Sequence, residues 1–138
     1  MTNSNITIER YVTEKNLIKK YDSWVLALRP NQITCYSMML FADSNVEKIS
    51  DLDSNTLKDL GVIFADVERR VRLISTPLKF NYYSLMLADP NVHFHIFPRF
   101  SSPELDEYWP KMVDLQREVT IDESDMANRL QKLKDVFQ

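Results

Sequence analysis

The sequence predicts an α+β fold: a five-stranded antiparallel sheet, one long helix packed on it, and an additional C-terminal helix. Three observations carry this. From Leu78 to Phe97 the chain twice runs in alternating fashion, as half-buried strands do, because successive side chains of a strand point to opposite faces. Leu57, Leu60, Phe64, Val67, Val71 and Ile74 recur every three or four residues, the apolar stripe of an amphipathic helix. Two short apolar runs flank Asp22-Ser23, a turn signal that reads as a hairpin.

In chain order, Met1 to Glu9 is polar and has no apolar core of the secretory kind, and Ile6 to Val12 is read as a short helix or an arm. Asn16–Lys20 and Trp24–Leu28 form the hairpin. Arg29-Pro30-Asn31-Gln32 makes a second turn, and Ile33–Phe41 a third strand. Asp43 to Leu52 is a polar connection. The long helix spans 54–75, with Asp53 or Ser54 as its cap and Pro77 as its stop. Lys58, Asp59, Glu68, Arg69, Arg70 and Arg72 fall off the stripe and read as a solvated face, their mixed signs arguing against a nucleic-acid surface. Leu78–Ala88 is the fourth strand, joined by Asp89-Pro90 to a fifth at 91–97, in meander order. Ser101-Ser102-Pro103 links to a mixed stretch, and Ile121–Gln138 is an amphipathic helix with Met126, Leu130, Leu133 and Phe137 on one side and Asp122 or Ser124 as cap. It is expected to pack on the domain, with a dimer contact or a lid as alternatives. The whole of 1–138 reads as one domain, with a core of about 16–100 and an extension from 101 to 138.

Composition removes several functions. A net charge of −3 offers no general attraction to nucleic acid or membrane, and no run approaches the ~20 apolar residues that a bilayer requires. The single Cys35 cannot make an internal disulfide, so a reducing, cytoplasmic setting is expected. Gly61 is the only glycine, which excludes a glycine-rich phosphate loop.

The chemistry concentrates in Asn91-Val92-His93-Phe94-His95-Ile96-Phe97-Pro98-Arg99, which holds both histidines of the protein. Alternation sends Val92, Phe94 and Ile96 to the core and puts Asn91, His93 and His95 together on the other, open face. Pro98, lacking a backbone donor, is expected to end the ladder, and Arg99 to point away into a surface ion pair. A metal site would need further ligands, and no Glu stands within eight residues after His95, so no metal and no other cofactor is expected.

This stretch resembles the histidine triad (HIT) motif, His-x-His-x-His followed by two apolar residues and often Pro-Arg. The resemblance spans about Asn16 to Phe100. It places His93 on the middle histidine and His95 on the third, while Asn91 replaces the first. A further family histidine, after the third strand, corresponds to Asn45. The resemblance implies a HIT-like fold, a homodimer, and a nucleotide hydrolase or nucleotidyl transferase acting on dinucleoside polyphosphates or nucleoside phosphoramidates. His93 would attack the α-phosphate to give a nucleotidyl-histidine, and His95 would bind phosphoryl oxygens or assist the leaving group. Asn91, Asn45 and Asn81 would contact phosphate, and Leu17, Ile18 and Trp24 would hold the base. The replaced histidines motivate a second reading, a nucleotide-binding or sensing module with weak or lost catalysis. In a third reading the domain is structural and both histidines are surface residues.

Overall fold

The computed structural model describes residues 5–138. Met1 to Ser4, part of the polar N-terminal stretch read above, lie outside the described residues. One sheet organises the rest: β1 (Leu17–Lys20), β2 (Trp24–Leu28), β3 (Met38–Ala42), β4 (Lys79–Tyr83) and β5 (His93–Arg99), every neighbour antiparallel. The order is β1-β2-β3-β5-β4, which corrects the expected meander. The chain leaves β3, crosses one face as a helix, and lands one strand beyond, so β5 fills the gap. That choice is physically sensible. β5 is buried over most of its length and is paired along both edges, while β4, half-buried and opening on the exposed Lys79, takes the edge.

Helix α2 (Ser54–Val71) covers the face formed by Trp24, Leu26, Leu28, Met38, Leu40, Phe94 and Ile96. Asp53 caps it, accepting from the Thr56 amide at 2.8 Å. The stripe sits slightly differently from the expected one. Ile63, Val67 and Val71 are the fully buried positions, whereas Leu57 is 40% exposed. The helix also ends at Val71 and not 75, its last carbonyls taken up by turn bonds from Leu73 and Ser75. Helix α3 (Glu123–Val136), capped by Asp122, lays Met126, Leu130, Leu133 and Phe137 into the same core, so it packs on the domain as expected. Arg70 is not simply solvated. It bonds Asp66 at 2.7 Å and the Val136 carbonyl at 2.5 Å, and lies over the Phe137 ring, fastening α2 to α3.

The opposite face, expected to be open, is covered. Helix α1 (Ile6–Tyr11), capped by Asn5, brings Ile8, Tyr11 and Val12 onto Ala27, Met39 and Phe41. Val113, Leu115 and Tyr108 of the C-terminal third close over Ile33, Phe97 and Tyr83.

Two strands are shorter than expected, for different reasons. Ile33 to Ser37 is a buried turn. Thr34 and Ser37 satisfy each other there, and Gln32 Oε1 accepts the amide of Tyr36, which sits in left-handed conformation at φ 64°. The fourth strand stops at Tyr83, because Met86 is also left-handed (φ 51°) and Leu85 and Leu87 turn outward as residues 84–92 form a loop. Pro98 does not end β5. It pairs with Phe80 of β4, beyond Met38↔Ile96, where the pairing with β3 has already finished.

Candidate active site

β5 fixes the site by register. Phe41↔His93 and Met39↔His95 pair across to β3, and Tyr83↔His95 across to β4, so both imidazoles leave the sheet on the face away from α2. Their ring centroids are 5.2 Å apart and nearly perpendicular (82°). Both rings line a cavity of about 360 Å³. Its wall continues through Tyr11, Arg29, Met39, Leu115 and the loop Leu85–Asp89.

Hydrogen bonds assign the ring nitrogens. His93 Nδ1 lies 2.8 Å from the backbone carbonyl of Asn91. A carbonyl can only accept, so Nδ1 carries the proton and the neutral ring keeps its lone pair on Nε2. His95 is wired the opposite way. Its Nδ1 accepts from Arg29 Nε at 3.1 Å, leaving the proton on Nε2. Burial, the Arg29 charge and His93 together push the His95 pKa down to about 3, so the ring is neutral at neutral pH. The two histidines thus face the cavity as a base and as a hydrogen-bond donor.

Asn91 is brought close but does other work. Its Oδ1 accepts from the Thr7 amide and hydroxyl at 3.3 Å, and its Nδ2 donates to the Asn45 carbonyl at 3.0 Å. With Asn91 3% exposed, the side chain clips α1 to the sheet; only its backbone carbonyl serves His93. Asn45 contributes that carbonyl and is itself exposed outside the cavity. Asn81 is drawn into a buried network. It accepts from Arg99 at 2.7 Å, and Arg99 in turn pairs with Asp106 at 2.6 Å, both side chains almost wholly enclosed. The expected surface ion pair of Arg99 is therefore a buried one.

The base-binding residues read from sequence are not brought to the cavity. Trp24 is fully buried on the α2 face and donates its indole N–H to the Thr56 carbonyl. Ile18 belongs to the same core, and Leu17 lies in β1, separated from β5 by two strands. Alternation puts Trp24 one step out of phase with the site face. The apolar wall is instead Tyr11, Met39, Leu85, Leu87 and Leu115, contributed by α1, β3, the 84–92 loop and the C-terminal third. Arg29 was missed because beside Pro30 it reads as turn punctuation. Among the described residues, no three His, Cys, Asp or Glu side chains converge as a metal would require.

A crossover helix on one face of a five-stranded antiparallel sheet, with paired imidazoles on the inner strand β5 over a cavity on the other, defines one class of fold. It is the histidine triad fold, and this chain has it. A histidine triad protein from Bradyrhizobium japonicum superposes with a TM-score of 0.77 at 19% identity, covering 97% of this chain and 96% of that one. One from Sinorhizobium meliloti gives 0.77 at 14% identity, over 96% and 94%. The diadenosine triphosphate hydrolase of Plasmodium falciparum gives 0.61 at 12% identity, over 90% and 77%. No protein-family model matches the sequence, and no curated protein does either.

Proposed function

We propose that this protein is a nucleotide hydrolase or nucleotidyl transferase of the histidine triad type, with His93 as its nucleophile. The observation that carries this reading is the bond from His93 Nδ1–H to the Asn91 carbonyl, which leaves Nε2 as a free lone pair in a cavity shared with a neutral His95 and a cationic Arg29. An imidazole so held can attack phosphorus without first losing a proton. The carbonyl then shares the positive charge that appears on the ring. His95 Nε2–H donates to the phosphoryl oxygens. The similarity to a diadenosine triphosphate hydrolase supports a substrate with a nucleotide α-phosphate. The edges of β1 and β4, unpaired among the described residues, are compatible with a homodimer, which sedimentation against the 16.3 kDa monomer tests.

The binding-module reading is favoured by one observation, the 3% exposure of His93. One experiment separates the two. Wild type is mixed with a dinucleoside polyphosphate, quenched in alkaline denaturant, where an N–P bond survives, and weighed by mass spectrometry. A nucleotidyl adduct on His93 is expected, with turnover falling by several decades in His93→Ala. Nucleotide binding with no adduct and no turnover assigns the protein to the binding module.

A further inference from the structure

Arg29 carries a charge that no carboxylate among the described residues neutralises. The ion pairs found there join Arg10, Arg69, Arg70, Arg99 and Arg117 to acidic partners, and Arg29 is in none of them. Asp89, the carboxylate on the cavity wall, is already taken by Arg10 at 2.7 Å. Arg29 is nonetheless well anchored. Its Nε–H reaches His95, one Nη1–H reaches the Asn31 carbonyl at 3.0 Å, and its guanidinium lies 5.3 Å from the Phe97 ring centre. Asn31 is itself held from the C-terminal third, donating to the Arg117 carbonyl and accepting from the Val119 amide. Burial lowers the Arg29 pKa only to about 10, so the charge persists at neutral pH. A guanidinium has five N–H donors, and two are used here. A half-buried cation on a cavity wall, with donors to spare and no counter-ion among the described residues, is a place for an anion.

The same contact restricts His95. Its Nδ1 lone pair is occupied by Arg29, and protonating it would break that bond and set two cations 3.1 Å apart. His95 therefore keeps its one proton on Nε2 and cannot serve as an imidazolium acid. An amine leaving group, as in a phosphoramidate, must be protonated to depart. A phosphate leaves as an oxyanion that is stable in water.

We propose that Arg29 is the phosphate-binding residue that also positions His95, and that together they commit this site to phosphoanhydrides in preference to phosphoramidates. The proposal rests on the nucleotidyl-transfer reading above. The His93 Nε2 lone pair forms an N–P bond as the anhydride P–O bond breaks. The electron pair stays on the departing oxygen, whose charge Arg29 meets. Water then attacks phosphorus, the N–P pair returns to Nε2, and the surplus proton passes to solvent.

The test compares wild type, Arg29→Met and Arg29→Lys on a dinucleoside triphosphate and on adenosine 5′-phosphoramidate. It is joined by calorimetric titration with inorganic tripolyphosphate and by 15N imidazole shifts of His95. Wild type should favour the anhydride by at least about tenfold in kcat/KM, and Arg29→Met should lose about a hundredfold on it but under about tenfold on the phosphoramidate. Tripolyphosphate affinity should fall in Arg29→Met and recover largely in Arg29→Lys, while only wild type holds the His95 proton wholly on Nε2. Equal losses on both substrates, or unchanged tripolyphosphate affinity in Arg29→Met, would overturn the proposal. If wild type turns over neither substrate and gives no His93 adduct, the nucleotidyl-transfer reading falls and the substrate assignment falls with it. The tripolyphosphate titration, which needs no turnover, then decides separately whether Arg29 binds phosphate.

Discussion

Replacing Asp106 by Asn changes one heavy atom and should remove a large share of the protein's stability. The carboxylate takes four donors. Oδ2 accepts from Arg99 Nε at 2.6 Å and the Phe100 amide at 3.2 Å; Oδ1 accepts from the Tyr108 amide at 3.1 Å and Arg99 Nη2 at 3.4 Å. Whichever way the amide turns, its NH₂ meets two of these donors head-on. The charge of Arg99, 2% exposed, is left without a partner. Asn81 Oδ1 and the Lys111 carbonyl still accept from the guanidinium, but neither carries charge. Breaking a buried pair from one side costs about 3–5 kcal/mol, out of a typical 5–15 kcal/mol of total stability. With a urea dependence of about 2 kcal/mol per molar, the unfolding midpoint should drop by about 2 M. The pair Arg99→Met with Asp106→Leu removes both dehydrated ions but strands the Phe100 and Tyr108 amides, so it should recover only part of that loss. Urea titration followed by tryptophan fluorescence measures all three. A midpoint shift under about 0.5 M for Asp106→Asn would mean that water reaches the pair and that this reasoning is wrong.

Three further outcomes follow from named contacts. His95 has a folded pKa of about 3, below its unfolded value near 6.5, so the unfolded chain binds the extra proton between those limits. Stability attributable to His95 is therefore intact above about pH 6.5 and is lost as pH falls. Wild type should weaken by up to about 1.4 kcal/mol per pH unit more than His95→Gln between pH 6 and 4, and parallel curves would refute this. Gly61 lies inside α2 with nothing within 4 Å of where a Cβ would stand, so Gly61→Ala should raise stability by about 0.5–1 kcal/mol, seen as a higher melting temperature. Asn91→Ala leaves the buried Thr7 amide and the Asn45 carbonyl without their partner, which should cost about 1–3 kcal/mol and speed amide exchange in residues 7–11; unaltered exchange there would rule out the clip.

Local pattern alone was enough for β1, β2, α2, α3 and the alternation of β5, because a strand's period of two and a helix's period of 3.6 are written in neighbouring residues. That alternation also put both histidines on one side, away from the helix. Tertiary structure decided what lies over them. Trp24 and His95 sit on opposite faces of one sheet, and no spacing in the sequence relates the phase of β2 to that of β5; only the register through β3 does. Leu85 and Leu87 alternate as a strand would, yet β4 ends at Tyr83 once the chain bends at Met86, so they wall a cavity. Arg29, Asn91 and Arg99 took roles that pattern could not assign. Arg29 and Asn91 are defined by partners 66 and 84 residues away, His95 and Thr7, and Arg99 by Asp106 across an irregular turn that has no period; a buried polar group must find its partner wherever folding brings one within about 3 Å.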